Sequence, residues 1–257
     1  MVDVLKEELP DTYILNCEVG SGSESTLLMT IEDQIKELDI CINNDPHMEK
    51  GFVGVGYSNG GMIMRGYLEK YNHIHFPMKR FVGLSAPLGG FFCGIDSDCN
   101  GVDLPDIIIK ATVDLIYSDF IQATIGPTNY WRDPFNLDKY EAECETLPEL
   151  DNLRETENSA VYKKNFQSVD KFILFGSDKD GAITPWQSAW FGVWKEGTDS
   201  DVVLMEDRPE YVQDLFGLRS MNEAGRIQLI NSNIDHFQYY SNDSFIRSLA
   251  PYIDVDV

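Results

Sequence analysis

Residues 51–71 read GFVGVGYSNGGMIMRGYLEKY, and this stretch decides the fold. Gly51 to Tyr57 is a compact run of small and β-branched residues that predicts a buried strand, and apolar residues at helical spacing from Met62 to Tyr71 predict a helix. Between them, Gly56-Tyr57-Ser58-Asn59-Gly60 is a G-x-S-x-G motif at the strand-to-helix turn. This context is typical of a nucleophile elbow, where glycines permit a strained serine backbone and close approach of neighbouring backbone.

The same alternation of strands and helices continues on both sides of this stretch. Apolar residues recur at helical spacing between Leu28 and Ile42, and Asp45-Pro46 ends that helix. Further strands are predicted at residues 12–19 (TYILNCEV), 80–85, 171–177 and 227–231. Short strands separated by helices predict an α/β fold with a mostly parallel sheet flanked by helices.

A helical segment at residues 104–124 is apolar on most faces and is not needed by the rhythm of the sheet. We interpret it as part of an insertion, roughly residues 101–165, that forms a lid or covers a substrate. The length of 257 residues predicts a single domain over residues 1–257 with a core that relies on neither disulfides nor metals.

Charge and composition exclude several classes of partner. Acidic side chains number 43 and basic side chains 20, and the net charge of −23 predicts repulsion from nucleic acid and from anionic lipid surfaces. No segment approaches the ~18 uninterrupted apolar residues of a membrane span. Residues 1–9 resemble a charged amphipathic helix rather than a signal peptide, and the acidity fits either an acidic compartment or the cytosol.

A serine nucleophile at Ser58 requires a general base and a carboxylate that orients it. On this fold the chain order is serine, acid, histidine. His47 precedes the motif, and His73 and His75 follow the elbow helix directly. Only His236 follows a late strand, so His236 is the candidate base.

The candidate acids are Asp178 and Asp180, which directly follow the strand at 171–177. The carboxyl ends of parallel strands are where active sites collect, and either residue could serve. Asp235 is disfavoured because adjacent residues on an extended loop point their side chains apart. Of the two backbone donors that an oxyanion hole needs, the N–H of Asn59 is one, and the loop for the second is not evident in the sequence.

The remaining reactive residues give weaker signals. His73-x-His75 lacks accompanying ligands, so we expect surface histidines and no metal site. Asn242 begins a sequon, Asn-Asp-Ser, that permits glycosylation in a secreted chain.

The cysteines divide into two kinds of context. Cys93 and Cys99 bracket a short polar loop, CGIDSDC, that could close as a disulfide, whereas Cys17 and Cys41 have the apolar surroundings of buried thiols.

Several ordered blocks of this sequence resemble one known family. They are GYSNGGMIMRGYLEKY at 56–71, NYWRDP at 129–134, NSAVYKKNF at 158–166, KFILFGSDKDGAITPWQSAWFG at 171–192, YVQDLFGLRSMNEAGRIQL at 211–229 and DHFQ at 235–238. The chain resembles, over nearly its whole length, the palmitoyl-protein thioesterase family. These are lysosomal α/β-hydrolases that cleave fatty-acyl thioesters from cysteines of lipidated proteins.

The resemblance implies a role for each candidate residue. Ser58 becomes the nucleophile, His236 the base and Asp180, placed just before the TPWQSAWFG block, the acid. It also implies a disulfide between Cys93 and Cys99, and hence an oxidising compartment, lysosomal or secreted. The insertion would form the acyl-binding groove, with S-palmitoylated proteins or peptides and long-chain acyl thioesters as substrates and no cofactor. Two rival functions are a lipase or oxygen-ester hydrolase and a catalytically weak form that retains lipid binding.

The sequence departs from the family at its start. The family begins with an apolar strand and a His-Gly loop that supplies the second oxyanion donor, and neither is present here. We therefore expect a missing N-terminal strand between the predicted strands at 12–19 and 51–57, and weak catalysis unless that strand is restored. Two explanations are open: the protein extends upstream of Met1, which we favour, or this is a short form that has lost catalytic competence.

Overall fold

The fold is built around a parallel sheet, as the sequence predicts. The computed structural model describes residues 1–22, 27–72, 75–94 and 111–255. Within these ranges the strands are β1 (Phe52–Tyr57), β2 (Met78–Leu84), β3 (Lys171–Gly176), β4 (Val193–Trp194), β5 (Val202–Val203) and β6 (Ile227–Asn231). The main sheet has the order β1-β2-β3-β6 with every pair parallel, while β4 and β5 form a separate antiparallel pair.

Helices precede, separate and follow the strands of the main sheet along the chain. They are α1 (Val2–Glu8), α2 (Ile31–Asn43), α3 (Asn59–Tyr71), α4 (Val113–Ile116), α5 (Asp119–Gln122), α6 (Leu137–Glu143), α7 (Leu147–Leu150), α8 (Ser159–Phe166), α9 (Pro209–Val212), α10 (Leu218–Glu223), α11 (Gln238–Ser241), α12 (Asp243–Arg247) and α13 (Ala250–Ile253). Short 3₁₀ turns occur at Pro46–Met48, Gly126–Tyr130, Trp186–Trp190 and Met205–Asp207. In the described part of the chain, no helix is both long enough and apolar enough to cross a membrane.

Helix α2 packs directly on the elbow helix α3. Its N-terminus is capped by Thr30, whose hydroxyl accepts from the Asp33 N–H, and its apolar face buries Ile31 and Ile35. Gly66 of α3 lies against Ile35 so closely that a Cβ there would overlap the isoleucine side chain. The close approach of the two helices fixes the position of the elbow.

The N-terminal segment differs from the prediction. Residues 13–19 have no regular secondary structure, so the strand predicted at 12–19 is wrong. Cys17 forms a disulfide with Cys41 of α2, so the prediction of buried thiols is also wrong. The Tyr13 hydroxyl donates to Asp45 at 2.7 Å, which fixes the start of the segment. These side-chain links, rather than strand pairing, hold the segment in place.

A cavity of 570 Å³ separates this segment from the free edge of β1. The N–H groups of Phe52 and Ser58 donate to the chain around β2, at Pro77 and Leu84. Because N–H groups alternate in direction along a strand, those of the odd-numbered residues of β1 point away from β2, toward the cavity. The two segments therefore do not pair directly across the gap.

The predicted insertion, roughly residues 101–165, is only partly described. Residues 95–110 lie outside the described ranges, and residues 111–124 of the predicted helical segment contain α4 and α5. The chain from α6 to α8 then returns to β3.

A buried ion-pair cluster joins this region to the elbow helix. Arg65 of α3 donates to Glu69 and to Asp151, both at 2.7 Å, and Arg208 donates to the other oxygen of Asp151 at 2.6 Å. Glu210 pairs with Arg208 at 3.1 Å, and all five side chains are 3% exposed or less. Buried charges of this kind are stable only when each is paired.

Candidate active site

Ser58 lies on the sharp turn between β1 and α3. Its backbone is left-handed in φ, with φ 51° and ψ −126°, the strained geometry that the motif predicts. A Cβ on Gly56 would lie 2.6 Å from the Gly61 Cα and 2.7 Å from the Gly60 carbonyl oxygen. The turn therefore brings backbone against backbone, and the serine hydroxyl projects at the carboxyl edge of the sheet.

The predicted serine, histidine and aspartate lie in one hydrogen-bonded row. His236 Nε2 is 3.1 Å from Ser58 Oγ, and His236 Nδ1 is 2.8 Å from Asp180 Oδ2. His236 is 5% exposed and Asp180 8% exposed, so water competes little for these contacts. An imidazole held between a hydroxyl and a carboxylate can remove the hydroxyl proton while the carboxylate stabilises the imidazolium.

Both carboxylate oxygens of Asp180 accept hydrogen bonds. Oδ1 accepts from the N–H groups of Ala182 and Ile183, at 2.8 and 3.0 Å. Oδ2 accepts from the hydroxyl of Ser85 as well as facing His236. Burial alone raises the pKa of Asp180, but the hydrogen bonds from His236, Ser85 and the backbone outweigh it and lower the pKa below its usual value. The group is therefore a carboxylate at neutral and mildly acidic pH.

His236 is positioned by Tyr57, the residue just before the serine. The two rings are 5.0 Å apart between centroids, and the Tyr57 hydroxyl donates to the backbone oxygen of His236 at 3.1 Å. Burial raises the pKa of Tyr57 well above its usual value, so the hydroxyl keeps its proton. The two contacts made by Tyr57 thus fix the loop that carries His236.

Asn59 starts α3, and its N–H belongs to the first turn, where backbone N–H groups have no partner within the helix. The Asn59 side chain donates to Gln34 of α2 at 2.9 Å, which steadies the turn. This N–H is therefore available to an oxyanion beside Ser58.

The competing carboxylates lie outside the row. Asp178 and Asp235 are both exposed, and Asp235 accepts from the Phe237 N–H as a local turn contact. Only Asp180, of the three aspartates that the sequence brings forward, lies beside the imidazole.

The other candidate residues are not at this site or not described. His47 pairs with Asp45 at 2.8 Å on the surface, and His75 is exposed. His73 and Cys99 lie outside the described residues, so the pairing of Cys99 with Cys93 stays a prediction.

Two contributors to the site are missed by motif reasoning. Tyr57 occupies a variable position of G-x-S-x-G, and Ser85 is an isolated serine after β2. The signal for Ser85 is positional, because a small polar residue directly after a parallel strand lies at the edge where active sites collect.

Comparisons with known proteins identify the family of the chain. The family model described as palmitoyl protein thioesterase matches residues 1–236. Palmitoyl-protein thioesterase 3 of Dictyostelium discoideum is 28% identical over 253 residues, covering 97% of this chain and 84% of the relative. The lysosomal thioesterase PPT2 homolog of Drosophila melanogaster is 29% identical over 258 residues, covering 99% and 86%. Lysosomal thioesterase PPT2-B of Xenopus laevis is 34% identical over 200 residues, covering 77% and 67%. The chain therefore belongs to the palmitoyl protein thioesterase family and is a hydrolase with the α/β-hydrolase fold.

Proposed function

We propose that this chain hydrolyses long-chain fatty-acyl thioesters, palmitoyl thioesters in particular, of S-acylated proteins or peptides. The observation that carries the proposal is the row of Ser58, His236 and Asp180, with contacts of 3.1 and 2.8 Å, in a member of this family. The names of the relatives point to palmitoyl thioesters rather than to oxygen esters.

In the proposed mechanism, the Ser58 oxygen attacks the thioester carbonyl carbon while His236 Nε2 takes the hydroxyl proton. The Asn59 N–H donates to the carbonyl oxygen as it becomes negative. The carbon–sulfur bond then breaks, and the thiol leaves with the proton held by His236. Water, deprotonated by His236, attacks the acyl-serine, and Ser58 recovers its proton as the fatty acid departs.

The insertion is the proposed surface for the acyl chain. Leu115 of α4 and Phe120 of α5 are apolar side chains with 36% and 74% exposure. An acyl chain needs a contiguous exposed apolar surface, and these two side chains would supply part of it.

A lysosomal or secreted location is part of the proposal. Relatives from rat and human carry the name lysosomal thioesterase. The disulfide between Cys17 and Cys41 supports an oxidising compartment, since such bonds are rare in reducing ones.

The test measures release of free thiol from a palmitoyl-thioester peptide and release of acid from the matched oxygen ester. We expect hydrolysis of the thioester that falls by about four orders of magnitude or more in Ser58→Ala. Preference for the oxygen ester would refute the thioester assignment, and activity that survives Ser58→Ala would refute the nucleophile.

A further inference from the structure

Ser85 is a buried hydroxyl that lies behind the candidate acid. It directly follows β2, is 1% exposed, and has a left-handed backbone with φ 47°. Its N–H donates to the oxygen of Phe175 in β3 at 2.9 Å. The backbone is thus fixed between two strands, independently of what the side chain does.

The Ser85 side chain binds the oxygen of Asp180 that faces the imidazole. Its hydroxyl donates to Oδ2, the same atom that lies 2.8 Å from His236 Nδ1. A carboxylate has only acceptor oxygens, so the hydroxyl proton must point at Asp180. Oδ2 therefore receives two donors, and Oδ1 receives the two backbone donors from Ala182 and Ile183.

We propose that Ser85 is a positioning residue of the active site, whose hydroxyl fixes the Asp180 carboxylate and shares the charge that His236 uses. This inference rests on the proposed roles of Ser58, Asp180 and His236. Without the hydroxyl, Oδ2 keeps His236 as its single side-chain donor in this row, and the carboxylate gains freedom to turn about the Oδ1 contacts. The full negative charge of Oδ2 then faces His236 alone.

The tyrosines around Asp180 do not change charge over the pH range of the experiment below. Among the described residues, Tyr57, Tyr239 and His236 interact with Asp180, and the Tyr239 side chain also interacts with Ser85. Burial raises the pKa of Tyr239 to about 12 and that of Tyr57 still further, so both tyrosines keep their protons from pH 4 to pH 9.

The experiment uses the full chain and a fluorophosphonate probe, which reports the reactivity of Ser58 without requiring a thioester. The labelling rate constant is measured from pH 4 to pH 9 for the wild type and for two variants, Ser85→Ala and Ser85→Gly. Both variants lack the hydroxyl, but glycine adopts φ 47° without strain, so a purely backbone role would separate them. Ser188→Ala is the control, because Ser188 is equally buried and its hydroxyl donates to the Gly90 oxygen.

We expect both Ser85 variants to lose about tenfold in plateau rate, the order of one hydrogen bond to a charged acceptor. We also expect the acidic limb of both profiles to move to higher pH, since Oδ2 no longer shares its charge with a second side-chain donor. Ser188→Ala should keep the wild-type profile. Thermal melting of each variant shows whether it is folded.

Two outcomes in the variants overturn the inference by itself: wild-type profiles in both Ser85 variants, or a changed profile in Ser85→Ala that Ser85→Gly restores. If the probe never labels the wild type, the proposed catalytic roles of Ser58, His236 and Asp180 are refuted, and the role of Ser85 with them. A chain that is labelled but leaves palmitoyl thioesters intact refutes only the proposed substrate.

Discussion

At the elbow, the adjacent glycines Gly60 and Gly61 differ in how much space a side chain would have. A Cβ on Gly61 would overlap the Cβ of Ala86, whereas a Cβ on Gly60, the last glycine of G-x-S-x-G, meets nothing within 4 Å. Both lie in α3, where alanine is favoured over glycine by about 1 kcal/mol. Of these two glycines, Gly61, which follows the motif, is therefore the one that permits the close approach to Ala86.

We predict that Gly61→Ala lowers the free energy of unfolding by about 1–3 kcal/mol and lowers activity, because Ala86 and the elbow must move apart. Gly60→Ala should leave the free energy of unfolding unchanged or raise it by up to about 1 kcal/mol. Urea unfolding and thioester hydrolysis measure both effects. Equal destabilisation by the two variants would contradict this account of the turn.

The aspartates offer a second test at the scale of residues. Asp180→Asn keeps the shape but cannot stabilise an imidazolium, so we expect turnover to fall by about four orders of magnitude. Asp178→Asn changes an exposed side chain, and we expect a turnover within about twofold of the wild type. Steady-state rates on a palmitoyl thioester decide the matter, and similar losses in both variants would remove the basis for choosing Asp180.

At the scale of elements, the segment 13–19 depends on its disulfide. The bond joins Cys17 to Cys41 across 24 residues and links an irregular segment to α2. Closing a loop of this size is worth about 3 kcal/mol through the entropy of the unfolded chain.

We predict that replacing Cys17 and Cys41 with serine lowers the free energy of unfolding by about 3 kcal/mol. The wild type treated with reductant under native conditions should approach the double variant, while the reductant should change the double variant little. Denaturant curves with and without reductant make the comparison. An unchanged unfolding free energy would show that Tyr13 and its neighbours hold the segment without the bond.

The sequence predicts the regular elements well because their signals are local. Both ends of three strands, β1, β3 and β6, lie within one residue of the predicted bounds. Each of these strands is a compact apolar run bounded by polar residues or glycine. The segment 12–19 has a similar pattern, but a strand exists only where a neighbour pairs with it. The Cys17–Cys41 bond and the Ser85 contact join positions far apart in sequence, which no local pattern encodes.

At the scale of the whole molecule, charged side chains occur both on an acidic surface and in a buried ion-pair cluster. The net charge of −23 makes the surface strongly acidic, while the buried ion-pair cluster places Glu69 at 0% exposure. Burial raises the pKa of Glu69 to about 8, against the opposing effect of Arg65, and the negative charge of Asp151 adds to the rise. Its Oε2 atom is buried with no hydrogen-bond partner, which is costly for a charged oxygen.

This raised pKa determines how stability changes with pH. In the unfolded chain the carboxyl titrates near 4.5, so the folded state binds the extra proton between about pH 4.5 and pH 8. The state that binds more protons is favoured at lower pH. The contribution of Glu69 is therefore complete below about pH 4.5 and is lost as the pH rises through 8, which favours the fold in an acidic compartment.

We predict that Glu69→Gln, which mimics the protonated acid, makes the melting temperature less dependent on pH between 5 and 8. The two proteins should melt at similar temperatures at pH 5, because the wild-type carboxyl is then protonated in the folded state. At pH 8 the wild type has lost stability of the order of 3 kcal/mol, so the variant should melt roughly 5 °C higher. Glu223→Gln is the control, since Glu223 pairs with Arg219 on the surface at 60% exposure and its variant should follow the wild-type curve. Parallel curves for wild type and Glu69→Gln would mean that Glu69 is ionised throughout this range, held as a carboxylate by Arg65.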